Sequence, residues 1–270
     1  MILKDPTLRS ARLLTFTFAA FLAAAIIFVP SAPGQAGKGG KGGGGKGGAP
    51  KGKQVARTSA PIDLTGTWVS VVTEDWMFRM VTPPKGEMLG VPVTGAARAA
   101  ANAWDPAADE AAGNQCKAYA APGVMRQPGR IRVSWQDDST LKVETEAGTQ
   151  TRLFNFGAPP AAGERSWQGI STAQWETAVR AAGQPPAGNL KVVTTNLKPG
   201  YVRKNGVPYS ADAVLTEYYD VHTADNKDVW MVVTTQVHDP ANFTTDFITS
   251  SHFKKLGTGA PWKPEACSAR

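Results

Sequence analysis

Ile131-Arg132-Val133-Ser134-Trp135-Gln136-Asp137-Asp138-Ser139-Thr140-Leu141-Lys142-Val143-Glu144-Thr145 is the stretch from which the fold is read. Ile131, Val133 and Trp135 alternate with Arg132 and Ser134. After the Asp137-Asp138-Ser139 turn, Leu141, Val143 and Thr145 alternate with Lys142, Glu144 and Glu146. Period-two alternation gives each strand one buried face and one wet face. A third strand, Thr149 to Phe156, returns after Ala147-Gly148, so the segment is an antiparallel meander.

The same pattern extends in both directions. Upstream, strands are expected at Gly66 to Thr73 and Trp76 to Val81, the second ended by Pro83-Pro84. Thr94 caps an alanine-rich helix over Gly95 to Trp104, because a hydroxyl there accepts a free amide of the first turn. A second helical stretch follows from Pro106 to Tyr119. Downstream, Gly157 to Gly188 is loop-rich, with a short helix expected over Thr172 to Ala182. Leu190 to Leu197 is a strand, and Tyr201 to Ser210 is irregular. Three long strands end the chain: Ala213 to His222, Asp228 to Val237, and Phe247 to Lys255. Eight or nine strands with short turns indicate a mainly β domain, a barrel or a sandwich, over residues 61–270.

The N-terminal part has a different character. Lys4, Arg9 and Arg12 precede an apolar run from Leu13 to Val29, and Gly34-Gln35-Ala36 offers small residues for cleavage. Residues 1–36 read as a signal peptide. A retained anchor over residues 13–29 is the alternative, and both place the body outside the cytoplasm. Residues 37–60 form a Gly/Lys-rich disordered linker, because they have almost nothing apolar to bury. Its five lysines (38, 41, 46, 51, 53) and the signal's net +2 account for the whole formal charge of +7. Residues 54–270 are neutral overall, which argues against a nucleic-acid-binding face. The lysines are expected to attract anionic envelope polymers or lipid head groups weakly, or to act as a plain spacer. Cys116 and Cys267 are the only cysteines, and in an exported chain two cysteines read as one disulfide.

Thr65-Gly66-Thr67-Trp68, opening the first strand of such a meander, resembles the lipocalin/calycin superfamily. That resemblance implies a lipocalin-like barrel whose base is closed by Gly66 and Trp68. Lys254 and Lys255 stand on the last strand, where that superfamily usually carries an arginine. Trp68 to Trp76, Asp109 to Gly113 and Ser250 to Lys254 are similar to segments of an uncharacterised family of exported bacterial proteins. This second resemblance implies export and a shared fold, and carries no activity.

Candidate chemistry is sparse. His222, His238 and His252 fall about 30 Å or well apart on this strand map, too far to share a metal ion. No metal site or cofactor is expected. No nucleophile elbow, phosphate loop, dinucleotide fingerprint or zinc-protease helix occurs. In the C-terminal hairpin, Leu215, Glu217, Tyr219 and Val221 share an inner face with Met231, Val233, Thr235 and Val237, and Glu217 is expected opposite Val233. A carboxylate on that face costs several kcal/mol unless paired or protonated. Arg152 and Arg79 are the candidate partners. Such a pair either orients a polar group of a ligand or is structural; a solvent-facing Glu217 is the third possibility. Trp167 and Trp175 are expected around a barrel mouth, where aromatics line sugar and lipid sites. The leading expectation is an exported barrel that binds a small apolar or amphipathic ligand. The alternative is a non-catalytic envelope module with a filled core that contacts protein or glycan. An enzyme using Glu217 as acid or base is the third reading.

Overall fold

The computed structural model describes residues 55–158, 160–179, 181–184 and 186–270. The expected signal peptide and all of the tether up to residue 54 lie outside the described residues. The end of the expected linker is placed against the body. Arg57 N–H donates to the Asp138 carbonyl at 3.2 Å, and the Ala56 carbonyl accepts from the Trp175 indole at 2.8 Å.

Eleven strands follow in the order β1 (Gly66–Val71), β2 (Arg130–Trp135), β3 (Thr140–Thr145), β4 (Gln150–Phe156), β5 (Ile170–Thr177), β6 (Gly188–Thr195), β7 (Gly200–Arg203), β8 (Val207–Tyr209), β9 (Val214–Thr223), β10 (Val229–His238) and β11 (Phe247–Lys255). Nine close into a barrel, β1-β2-β3-β4-β5-β6-β9-β10-β11 and back to β1, while β7 and β8 form a separate ribbon. The alternation that predicted β2 to β4 is realised: Ile131, Val133, Leu141, Val143 and Phe154 are all buried. The pairing of Val143 with Arg152 and of Leu141 with Phe154 also follows the expected register.

Trp68 lies toward one end of the barrel, paired with Lys255, the last residue of β11. Its side chain is fully buried, its indole N–H donates to the Leu64 carbonyl at 2.9 Å, and the Lys255 ammonium stands 5.3 Å from its ring centre. Lys255 also bonds Asp63 at 3.2 Å. Gly66 has φ 119°, and a Cβ there would meet Lys255 Cε at 3.1 Å, so the site needs glycine twice over.

The opposite end carries a roof of short helices: α1 (Trp76–Arg79), α2 (Gly95–Ala103), α3 (Pro106–Ala111) and α4 (Ala121–Val124). Thr94 caps α2 as its sequence requires, accepting from Ala97 N–H at 3.2 Å. Asp105 caps α3 through the amides of Ala107 and Ala108. Residues 118–126 are buried throughout, and Val124 and Met125 pack into the barrel core. Cys116 and Cys267 are disulfide-bonded, which ties the C-terminal tail to the roof.

Four expectations need correction. Trp76 to Val81 is not a strand. Asp75, at φ 51°, turns the chain off β1, and α1 follows with Trp76 and Met77 facing solvent. Thr172 to Ala182 is not a helix. Ile170–Thr177 is β5, and its alternating residues Ser171 and Ala173 point inward. The barrel is not wholly antiparallel, because β5 pairs parallel to β4. Parallel neighbours need a crossover connection, which a tight turn cannot supply. Tyr201 to Ser210 is not irregular, since it holds the β7–β8 ribbon.

Candidate functional site

The β9–β10 hairpin is two residues out of its expected register. Glu217 lies opposite Thr235, and Val233 lies opposite Tyr219. A shift of two preserves strand parity, so the inward-facing set is unchanged. Leu215, Glu217, Tyr219, Met231, Val233, Thr235 and Val237 are all buried.

Glu217 is fully buried, and so is Arg152 of β4. The two meet as a fork: Arg152 Nη1 donates to Glu217 Oε1 at 2.8 Å and Nη2 to Oε2 at 2.5 Å. Two parallel charge-assisted bonds are the strongest arrangement these groups can make. The Tyr219 hydroxyl adds a third donor to Oε1 at 3.2 Å. Arg152 Nη2 also reaches Thr194 Oγ1 at 3.3 Å, and Thr194 shares a 2.8 Å hydroxyl contact with Ser171. Phe154 lies against the guanidinium, 4.9 Å from ring centre to Cζ.

These side chains form a belt. Arg152 (β4), Ser171 (β5), Thr194 (β6), Glu217 (β9), Thr235 (β10) and Ser251 (β11) come from six strands that are successive neighbours around the barrel. Each is at most 4% exposed. One apolar cluster, around Trp68, Phe154 and Met231, is distinct from a second around Leu215, Val237 and Phe247. Thr235 was expected on the inner face without a role, Ser171, Thr194 and Ser251 were given no place in a site, and inward parity on β6 and β11 marks Thr194 and Ser251.

Burial sets the protonation states here. Burial works against the Arg152 cation, but the Glu217 charge outweighs it and holds the guanidinium above its usual pKa. Burial, with Glu217 beside it, pushes the Tyr219 phenol well up. The belt is therefore an ion pair plus neutral hydroxyls. Both carboxylate oxygens are occupied, and no face of Glu217 is open to a reactant, so this geometry gives no role as acid or base.

The remaining expected site residues are scattered. Arg79 is on the roof, far in topology from Glu217; its Nε donates to the Arg126 carbonyl at 2.9 Å and its Nη1 bonds Glu74. Trp175 is half-buried with the base cluster and stacks near Phe156, with ring centres 5.3 Å apart. Trp167 packs against the roof-end cluster. The two tryptophans line no common mouth. The histidines also stay apart: His222 pairs across from Trp230, His238 bonds Asp246 at 2.7 Å, and His252 sits 3.1 Å from Glu74. Among the described residues, no group of three or more His, Cys, Asp or Glu side chains is placed to hold a metal ion.

Two further buried arginines, Arg126 and Arg203, accompany Arg79 under the roof. Sequence reasoning missed both, because nothing in the spacing of residues 79, 126 and 203 announces that they meet. Comparison of the chain with family models, with curated proteins and with solved structures returns no match.

Proposed function

We propose that this chain is a non-catalytic, extracytoplasmic binding module that meets its target at the roof and not inside the barrel. One observation carries this reading. Trp68, Phe154, Leu190, Val192, Glu217, Met231, Val233 and Phe253 point inward from around the barrel and are each 0% exposed. A space able to admit even water would register as exposure on the side chains that line it. A drug-sized ligand needs a cavity of about 300–1,000 Å³. The lipocalin-like reading of Gly66 and Trp68 thus supplies a closed base, but the interior above it is occupied by core side chains and the polar belt.

The roof supplies a surface instead. Trp76, Met77, Met80, Val81 and Leu89 are each between 55% and 70% exposed. Scattered exposed apolar residues are ordinary, but four within six positions of one short segment favour a binding surface. Export is supported by the pattern of residues 1–36 and by the disulfide between the only two cysteines. Among the described residues no helix is long and apolar enough to cross a membrane. In this reading the lysine tether holds the body near anionic envelope polymers.

Native mass spectrometry of protein purified from its own host tests the proposal. The expected result is the bare mass of the disulfide-bonded chain. A small molecule that co-purifies at one equivalent, and persists both when Trp76, Met77 and Met80 are all replaced by serine and when Arg203 is replaced by methionine, would place the ligand inside the barrel and overturn the proposal.

A further inference from the structure

Arg79 ends α1, Arg126 follows α4 and Arg203 ends β7. They are 6%, 4% and 3% exposed. Arg79 pairs with Glu74, and Arg126 Nη2 pairs with Asp75 at 3.0 Å. Arg203 has no such partner among the described residues. Its Nε and Nη1 are sealed from water with no acceptor, as are Arg79 Nη2 and Arg126 Nη1. Glu87 is the remaining carboxylate in reach of Arg203 charge, and its Oε1 is taken by the Leu89 amide at 2.7 Å. Arg203 is therefore the one of the three buried arginines without a direct ion pair among the described residues, and four of their N–H-bearing nitrogens have no acceptor.

An uncompensated buried charge is one of the costliest arrangements a fold can hold. Burial, with Arg126 close by, pulls the Arg203 guanidinium down to about 10, so it is still a cation at neutral pH. Arginine's planar fork matches an oxyanion through paired N–H donors. The cover over this cluster is slight. Phe78 of α1 lies on Arg203, 4.6 Å from ring centre to Cζ, and α1 is a single turn entered through the left-handed Asp75. Arg79 is the only buried residue of that turn. Beside it, the backbone of Gly90 (φ 77°) approaches Arg203, such that a Cβ there would stand 3.8 Å from Nη2.

We propose that Arg79, Arg126 and Arg203 form a binding site for one oxyanion, the carboxylate or phosphate group of a small ligand, with α1 as its movable cover. The anion gives Arg203 the direct ionic partner it lacks and accepts from the unpartnered donors. Phe78 leaves the face of Arg203 as α1 lifts to admit it. The site does not depend on what the exposed apolar residues of the roof contact.

The test uses the protein as purified from the cell, titrated with inorganic phosphate and separately with acetate, at fixed ionic strength and low chloride. Isothermal calorimetry is expected to give one saturable event with at least one of these anions, and melting temperature is expected to rise with its concentration as linkage requires. Phosphate binding alone assigns a phosphoryl group; acetate binding alone assigns a carboxylate. Arg203→Met keeps the aliphatic stem, removes the unpaired charge and is expected to weaken binding at least tenfold without lowering the melting temperature of the free protein. Absence of saturable heat with both anions overturns the proposal, as does unchanged affinity in Arg203→Met. Should that variant fail to fold, hydrogen exchange of wild-type residues 76–80 decides: the site requires their protection to change on saturation, and an unchanged pattern overturns it.

Discussion

Replacing Glu217 with alanine removes the one carboxylate that faces the Arg152 guanidinium. Arg152 is fully buried, its Nε already lacks a partner, and only Thr194 Oγ1 at 3.3 Å would remain for Nη2. The guanidinium cannot discharge itself by losing a proton, because its pKa is too high. Breaking a buried ion pair from one side costs about 3–5 kcal/mol. The Tyr219 hydroxyl loses its acceptor as well, which adds about 1 kcal/mol or more. The expected loss is therefore about 4–6 kcal/mol, much of the whole stability of a domain, which is about 5–15 kcal/mol. Urea denaturation under non-reducing conditions, followed by tryptophan fluorescence, measures it. The double replacement Arg152→Met with Glu217→Leu removes both charges and is expected to recover most of the loss, since an apolar substitute for a buried pair is often neutral or better. A Glu217→Ala protein within about 1 kcal/mol of wild type, at unchanged m-value, would refute the reasoning. So would a double variant as unstable as the single one.

Three other outcomes follow from the same geometry. Reducing Cys116–Cys267 opens a loop of 151 residues, and the chain-entropy model puts the loss at up to about 5 kcal/mol, read as a fall in melting temperature with reductant. Burial raises the pKa of Tyr201, Tyr209 and Tyr219, with Asp109 adding to the rise at Tyr201 and Glu217 at Tyr219. Their stabilisation is complete below the unfolded phenol pKa of about 10 and is lost as pH climbs toward the folded values, so the melting temperature should fall above pH 10; normal phenolate titration of all five tyrosines in the folded protein would contradict this. Gly206 has φ 81°, and a Cβ there would lie 2.2 Å from Trp104, so Gly206→Ala should unfold or severely destabilise the β7–β8 ribbon, whereas Gly113→Ala, also at positive φ but in open space, should cost far less by thermal melting.

What could be read from the residues follows from what each signal encodes. Ile131 to Phe156 alternates cleanly because both of its faces are used, one inward and one wet, and that fixed three strands and the position of Arg152. The Glu217 partner was readable only as one of two arginines: parity puts Arg152 and Glu217 inside together, and the structure pairs them while Arg79 bonds Glu74. The hairpin register was not, because the turn after Thr223, with Lys227 at φ 69°, sets a pairing that side-chain pattern leaves free by steps of two. Trp76 to Met80 misled because its apolar residues face solvent, where periodicity carries no burial information. Thr172 to Ala182 misled because Thr172, Trp175 and Val179 fall at helical spacing, while the residues that do point inward, Ser171 and Ala173, are small and carry little apolar signal. The arginines under the roof were illegible for a plainer reason: they come from a helix end, a post-helix turn and a ribbon, and only tertiary packing joins them.

β1 pairs on one side with β2 and on the other with β11, where Trp68 meets Lys255. The cylinder is thus zipped shut between the first and the last strand among the described residues. Until the final stretch of polypeptide is available, β1 has an unmatched edge and the indole at its base has no lysine above it. Maturation is accordingly an end-to-end event. A nascent or clipped copy lacking the last strand is an open sheet with two sticky margins, prone to pair with another copy, so this protein should be unusually intolerant of shortening at its C-terminal side.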